Sequence, residues 1–234
     1  MPAAKLILYE LAGADPALRF SPHCWKTRMA LAHKGLDAEC LPWRFTEKDK
    51  IAFSGQARVP VLMDDGEAVA DSWRIALHLE QRFPDRPSLF RTADAIPLTH
   101  FINTWADATL IPALARIILV DVLHCTDEKD RTYFRRSRED RYGMSLEAVV
   151  ADRPANLAEF RRALLPLRLV LKDRDFVAGA APAYCDYCVF GAFMWARCTS
   201  PAELLETDDP VFLWRARLLD LFDGLARGAP SIQR

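Results

Sequence analysis

Phe20-Ser21-Pro22 is the first segment that could do chemistry, because a hydroxyl comes directly before a helical pattern. Proline suits the first position of a helix, where its missing N–H needs no partner. Ser21 then stands at the N-terminus of that helix. It either caps the helix or donates a hydrogen bond to an anion at the positive helix end. Both interpretations stay open for Ser21.

A second candidate is the proline that enters a strand-like run in Arg58-Val59-Pro60. Proline cannot donate a hydrogen bond to a sheet, so this position is unusual. If the Val59–Pro60 bond is cis, the backbone of Val59 turns outward and can pair with a peptide-like ligand. A trans proline at the first residue of the strand is the alternative, and the sequence does not decide between them.

Asp71 and Ser72 form a third candidate at the start of another helix. Both residue types are common helix caps. Alternatively, the Ser72 hydroxyl and the first backbone N–H groups hold a ligand carboxylate, while Asp71 holds an ammonium group. Together the three segments describe an anion site at one helix start, an exposed backbone edge and a carboxylate site at a second helix start.

The elements that position these residues change in character along the chain. Residues 1–83 read as strand, helix, strand, an irregular stretch, two strands joined through Asp65-Gly66, and a helix. Residues 84–92 contain two prolines and suit a linker. Residues 93–234 show helical periodicity throughout. This predicts an α+β protein with a small mixed-sheet domain followed by an all-helical domain. Breaks between the helices are predicted near 126–127, 152–154, 179–182 and 200–210.

Composition excludes several classes of function. The chain has 234 residues and a formal net charge of −1, so nucleic acid is a poor partner. The N-terminus is too polar for a signal peptide, and charges interrupt the longest apolar runs, so we expect neither secretion nor membrane insertion. The six cysteines lack a framework spacing and indicate reduced thiols in the cytoplasm. The five histidines lack a metal-binding spacing, so no metal site is expected.

Other reactive residue types have simpler explanations. Cys24 lies three residues after Ser21 and is interpreted as a packing residue. Cys185 and Cys188 fall inside an apolar helical run, which favours core cysteines over a redox pair. The arginine-rich run 135–141 resembles a solvated helix face, with the binding of acidic substrates as the alternative.

The order and spacing of these segments resemble the thioredoxin-like domain of glutathione S-transferases, and the linker and helical domain follow in the expected places. Asp186 with YCVFGAFMWA looks like the internal capping motif of that family, although Ala183 stands where the family has serine or threonine. At closer range, SPHCWKTRMALAHKG, RVPVLMDDGEAVADSW and FPDRPSLF look like the bacterial β-etherase branch, which cleaves β-aryl ethers of lignin-type compounds with glutathione.

The resemblance implies that glutathione is the co-substrate. Ser21 would donate a hydrogen bond to its thiolate. Val59, held by Pro60, would pair through its backbone with the cysteinyl part, and Asp71 and Ser72 would hold the γ-glutamyl end. The glycyl carboxylate needs a cation or amide, for which the candidates are Arg44, Lys48, Lys50, Gln56 and Arg58.

The resemblance also implies attack of the thiolate on a hydrophobic, aromatic electrophile held between the domains, in detoxification or aromatic compound catabolism. Phe20, Trp105 and Trp195 are candidates for lining that pocket, although both tryptophans suit the core equally well. Family analogy implies a homodimer. A non-catalytic binding protein for glutathione or hydrophobic ligands and a glutathione-dependent isomerase are the alternatives. A thiol reductase is disfavoured, because Ser21 stands where it would need a cysteine.

Overall fold

A computed structural model describes residues 5–233. The first part of the chain forms a four-stranded sheet and two α-helices, with a short 3-10 helix at Lys48–Ser54. The strands are β1 (Leu6–Leu11), β2 (Ala38–Trp43), β3 (Val61–Asp64) and β4 (Glu67–Ala70). The helices are α1 (Pro22–His33), between β1 and β2, and α2 (Ser72–Arg82), after β4.

The sheet has the order β2-β1-β3-β4, and it is mixed as predicted. Strand β1 runs parallel to β2 and antiparallel to β3, while β3 and β4 are antiparallel. Strand β2 lies at the edge, which is where a sheet tolerates a proline such as Pro42. The β3–β4 turn is Asp65-Gly66, with φ of 46° and 95°, the positive values that a two-residue hairpin turn of this type requires.

The rest of the chain is helical, which confirms the predicted α+β architecture. The breaks predicted near 126–127 and 179–182 lie between helices, whereas those near 152–154 and 200–210 extend into the first residues of α7 and α10. The predicted linker 84–92 lies between α2 and the first helix of this part. The helices are α3 (Ala95–Trp105), α4 (Ile111–Cys125), α5 (Glu128–Tyr142), α6 (Leu146–Val149), α7 (Arg153–Ala163), α8 (Leu165–Leu171), α9 (Tyr184–Thr199) and α10 (Pro210–Gly224).

A π-helical turn, Ala106–Leu110, joins α3 to α4. The result is one continuous helix, Ala95–Cys125, that is long and apolar enough to cross a membrane by length and composition alone. Part of that apolar surface packs inside the protein, since residues such as Leu114, Ile117 and Ile118 are buried in the core.

Helix α9 is the centre of the molecule, since every one of its residues is buried. Such a helix must satisfy its free backbone N–H groups internally. Ala183 at its N-cap has no side-chain acceptor, so the N–H groups of Tyr184 and Asp186 donate hydrogen bonds to the carbonyls of Leu89 and Ala183 at 2.8 and 3.0 Å. A second set of bonds is made by the buried carboxylate of Asp186. It accepts hydrogen bonds from the Ala183 N–H at 3.1 Å, the Val177 N–H at 2.7 Å and the Trp214 indole at 2.9 Å. Asp186 therefore ties the start of α9 to the preceding loop and to α10.

Replacing Asp186 with alanine should lower the free energy of unfolding by about 3–5 kcal/mol, because several buried donors would lose their acceptor. Urea denaturation of the purified protein measures this. Asp152→Ala is the matched control, because Asp152 caps α7 with one exposed hydrogen bond to the Ala155 N–H. That control should cost only about 1 kcal/mol. Equal losses for the two variants would contradict the central role of Asp186.

Candidate functional site

A cavity of about 580 Å³ lies between the two parts of the chain. The sheet domain contributes the end of β1, the start of α1 and the loop before β3, including Ser21 and Val59. The helical domain contributes residues of α4, α5 and α9, including Trp195. Ligands of enzymes commonly bind in such clefts between domains, which makes this cavity the candidate site.

Ser21 caps α1 and also faces the cavity. Its Oγ accepts a hydrogen bond from the Cys24 N–H at 3.3 Å, so the capping interpretation is correct. Capping uses only a lone pair. Among residues 5–233 the Ser21 hydroxyl donates to no acceptor, so its proton is available to a group in the cavity. Capping and anion binding are therefore compatible at Ser21.

The start of α1 is held against α9 by a close backbone contact. A Cβ atom added to Gly191 would overlap the carbonyl oxygen of Pro22, which lies next to Ser21 in the chain. Only glycine allows the two helices to approach this closely. Gly191 thus fixes where the positive end of α1 meets the cavity.

The Val59–Pro60 bond is cis in the structure. Val59 lines the cavity, and among residues 5–233 its backbone N–H and C=O have no hydrogen-bond partners. The carbonyl of Pro60, by contrast, accepts a hydrogen bond from the Asp71 N–H at 3.3 Å. The exposed backbone edge is thereby placed beside the start of α2.

At the start of α2, Asp71 is the cap, because its Oδ1 accepts hydrogen bonds from the N–H groups of Trp73 and Arg74. Ser72 is buried, and its carbonyl accepts a hydrogen bond from the Tyr184 hydroxyl at 2.7 Å. Neither Asp71 nor Ser72 lines the cavity itself. Burial lowers the pKa of the cavity residue His23, and the Asp71 carboxylate is close enough to oppose that shift in part.

The two predicted arginine ligands have different surroundings. Arg58 lines the cavity. Arg44 does not, because its guanidinium pairs with Asp127 at 3.0 Å and donates a hydrogen bond to the carbonyl of Ala14 at 3.2 Å. Arg44 therefore links the sheet domain to the start of α5, and only Arg58 of the pair faces the site.

Of the predicted aromatic pocket residues, Phe20 and Trp195 line the cavity, whereas Trp105 does not. Trp105 is half-buried at the end of α3 and packs against the core, as its alternative interpretation allowed. The π-helical turn begins directly after it and changes the direction of the following side chains.

Helix α5 contributes a wall of the cavity, although the sequence offered substrate binding by its run 135–141 only as an alternative to a solvated face. Phe134 lies 5.5 Å from Phe45, measured between ring centroids, and the guanidinium of Arg138 lies over both rings. Buried Asp130 holds this wall to the sheet domain by accepting hydrogen bonds from the N–H groups of Phe45 and Thr46. A further sequence signal was the aromatic pair Tyr133-Phe134, directly before the run 135–141 that was interpreted as a solvated face.

A polar cluster at the π-helical turn was also missed. The buried ammonium of Lys26 donates hydrogen bonds to Asp107 at 2.6 Å and Asn103 at 2.8 Å. The imidazole of His23 lies 3.8 Å from the same Asp107 carboxylate. Desolvation inside the cleft, together with the positive charge of Lys26, lowers the pKa of His23 from 6.5 to about 4. His23 is therefore neutral at pH 7.

The cysteines near the site are unreactive thiols because they are buried. Cys24 is fully buried, and burial raises its pKa to about 12. Burial likewise raises the pKa of Cys185 and Cys188, and all six cysteines are free thiols. Within residues 5–233 no group of three or more histidine, cysteine or acidic side chains could hold a metal ion.

Two family models match the chain. Residues 16–87 match the glutathione S-transferase N-terminal domain, and residues 97–212 match the glutathione S-transferase C-terminal domain. The two matches together cover most of the chain, and they correspond to the sheet domain and the helical domain.

Solved structures share the fold. A glutathione S-transferase of Ceriporiopsis subvermispora in complex with glutathione is 22% identical, with a TM-score of 0.81 over 97% of this chain and 99% of that one. Glutathione transferase GSTFuA3 from Phanerochaete chrysosporium is 21% identical, with a TM-score of 0.82 over 92% of this chain and 96% of that one. A glutathione S-transferase from Rhodospirillum rubrum is 21% identical, with a TM-score of 0.64 over 92% and 88% of the two chains.

Gly191→Ala should lower the free energy of unfolding by about 1–3 kcal/mol, because the added methyl group overlaps the backbone at Pro22 and forces α1 and α9 apart. Urea denaturation measures the loss. Gly228→Ala is the control, since its Cβ would lie 3.5 Å from the nearest atom, an ordinary contact. A Gly191→Ala variant as stable as the Gly228→Ala variant would contradict the close helix contact.

Proposed function

Because the chain belongs to the glutathione S-transferase superfamily, we propose that it binds glutathione in the cavity between its domains and uses the thiolate to attack a hydrophobic, aromatic electrophile. The observation that carries this proposal is the position of Ser21, whose side chain lines the cavity at the positive end of α1 and whose hydroxyl donates no hydrogen bond among residues 5–233.

The tripeptide would extend from the start of α1 to the start of α2. The unpaired backbone of Val59 suits the cysteinyl residue of glutathione, since its N–H and C=O can form two hydrogen bonds as in an added strand. The start of α2 with Asp71 and Ser72 suits the γ-glutamyl end, which carries both an ammonium and a carboxylate group. Arg58 is the cation available to the glycyl carboxylate.

The thiolate needs substantial stabilisation at neutral pH. A free thiol has a pKa of about 8.5, and lowering it by two units takes about 2.7 kcal/mol. The helix end supplies about 0.3–1 kcal/mol and occasionally about 2 kcal/mol. A hydrogen bond from the Ser21 hydroxyl to the charged sulfur adds about 1.5–3 kcal/mol. The two contributions together are sufficient, so Ser21 acts as a donor and not as a nucleophile.

The cavity suits an aromatic acceptor, since it is lined by aromatic side chains from both domains, including Phe20, Phe45 and Trp195. We extend the proposal to β-aryl ether cleavage on the segments that resemble the β-etherase branch. In that reaction the sulfur forms a bond to the carbon that carries the aryl ether. The C–O bond breaks, and the phenolate leaves with the electron pair.

Ser21→Ala should lower kcat more than about tenfold and raise the pKa of bound glutathione, while the dissociation constant of glutathione changes little. Steady-state kinetics with an aryl halide, and pH titration of the thiolate absorbance of the binary complex, measure the two effects.

The matched control for this prediction is Ser145→Ala, which removes an equivalent cap from α6, where the Ser145 Oγ accepts from the Ala148 N–H at 3.2 Å. Its kcat should equal that of the unaltered protein. Unchanged turnover in Ser21→Ala would rule out the proposed role of Ser21. Binding of glutathione without turnover of any electrophile would instead support a non-catalytic binding protein.

We also propose a homodimer in the cytoplasm. Helix α3 exposes two large apolar side chains three residues apart, Leu98 and Phe101, which are 70% and 73% exposed. Residues with this spacing share one helix face. A second copy of the chain could cover that face, and the six free thiols suit a reducing compartment.

Phe101→Glu should convert the dimer to a monomer, because a charge would be placed in an apolar contact. Light scattering coupled to size-exclusion chromatography measures the molar mass. Leu213→Glu on α10 is the control, since Leu213 is also exposed but lies on a different helix. A monomeric unaltered protein would refute the dimer, and dissociation by both substitutions would refute this choice of face.

A further inference from the structure

The cavity contains more positive charge than glutathione requires. Arg58, Arg138 and Arg141 all line it, and within residues 5–233 none of the three has a carboxylate within 4 Å. The chain as a whole has a net charge of −1, so this cluster does not reflect a general excess of basic residues.

The arginines of α5 differ in whether they line the cavity and in whether a carboxylate pairs with them. Arg135 points away from the cavity and pairs with Glu139 at 2.9 Å and with Glu147 at 2.8 Å. Arg138 and Arg141, which face the cavity, have no such partners. Arg131 and Arg136 of the same helix also lack a carboxylate partner within residues 5–233, but they do not line the cavity. Arg138 and Arg141 are therefore the α5 arginines whose unneutralised charge faces the site.

Arg138 is held in a defined position. Its guanidinium lies 4.9 Å from the centroid of the Phe45 ring and 4.4 Å from that of Phe134, and its Nη1 donates a hydrogen bond to the Ser137 hydroxyl at 2.6 Å. Burial, with the nearby charges of Arg141 and Arg58, lowers the pKa of Arg138 from 12.5 to about 10. An anion in the cavity would relieve this repulsion.

We propose that the acceptor substrate carries a carboxylate, which Arg138 binds while the aromatic ring of the substrate lies among the aromatic side chains of the cavity. Arg141, which is exposed, attracts the same group at the entrance. A planar guanidinium suits this task because it can donate two parallel hydrogen bonds to a carboxylate. The inference rests on the proposed transferase function and specifies its substrate class.

Geometry favours the acceptor over glutathione as the source of this carboxylate. Arg58 comes directly before Val59, whose exposed backbone would pair with glutathione, so Arg58 is the cavity cation nearest in sequence to the proposed glutathione site. Arg138 belongs instead to the wall formed by Phe45 and Phe134, and Phe45 in turn lies next to Phe20, with ring centroids 6.4 Å apart. The Arg138 guanidinium therefore lies at the far end of the aromatic surface that begins at Phe20, the residue before Ser21.

The test compares 4-chloro-3,5-dinitrobenzoate with its methyl ester, which differ in charge at one position. In both reactions the sulfur of glutathione bonds to the ring carbon, the C–Cl bond breaks, and chloride leaves with the electron pair. Each kcat/KM is divided by the uncatalysed rate constant with glutathione, which removes the difference in intrinsic reactivity. The unaltered protein should then prefer the carboxylate by about tenfold or more.

Arg138→Gln should remove most of that preference by raising KM for the carboxylate by a larger factor than KM for the methyl ester, so that the ratio of the two normalised kcat/KM values approaches one. Arg138→Lys should retain part of the preference, since lysine keeps the positive charge but cannot donate two parallel hydrogen bonds to a carboxylate. Arg136→Gln is the control, because Arg136 is an exposed residue of the same helix that does not line the cavity. Turnover of the ester also shows that each variant is folded.

Equal normalised rates for the two compounds would overturn the inference and leave the transferase function intact. A rise in KM for glutathione in Arg138→Gln, with the preference retained, would also overturn it, since Arg138 would then bind glutathione. If neither compound nor any standard electrophile is conjugated, the proposed function itself fails, and the inference fails with it.

Discussion

The arrangement of the candidate site depends on the contact between Gly191 of α9 and the carbonyl of Pro22 at the start of α1. Helix α9 is buried along its whole length and is fixed by the carboxylate of Asp186, so it serves as a rigid support. A helix N-terminus can stabilise an anion only within its first turn. The support must therefore place the beginning of α1 accurately, and a glycine allows the backbone contact that does so.

The two domains are joined by polar contacts on both sides of the cleft. On one side Lys26 of α1 is paired with Asp107 at the π-helical turn. On the other side Asp130 of α5 binds the backbone after β2 at Phe45 and Thr46. Buried charges are destabilising unless they are paired, so these contacts favour one relative position of the domains. The cavity between them is consequently a fixed feature of the fold.

The sequence predicted the features that local patterns determine. Asp65-Gly66 identified the hairpin, the proline after Ser21 identified the start of α1, and the loss of strand patterns after residue 92 identified the helical domain. For the α5 run 135–141 the sequence offered the binding of acidic substrates only as an alternative, because Arg138 faces the cavity through packing between segments distant in the chain. For Trp105 the sequence left the pocket and the core open, and the side chain packs against the core at the end of α3, outside the cavity.

The separate attachment of α5 has a consequence for how this scaffold can diversify. The groups that would activate sulfur belong to the start of α1 and depend on α9, whereas the wall that would recognise the second reactant belongs to α5 and depends on Asp130. Changes along the inner side of α5 can thus alter which molecules are accepted without disturbing the reactive centre. Evolution or laboratory selection can exploit this independence to retune selectivity while the underlying chemistry is preserved.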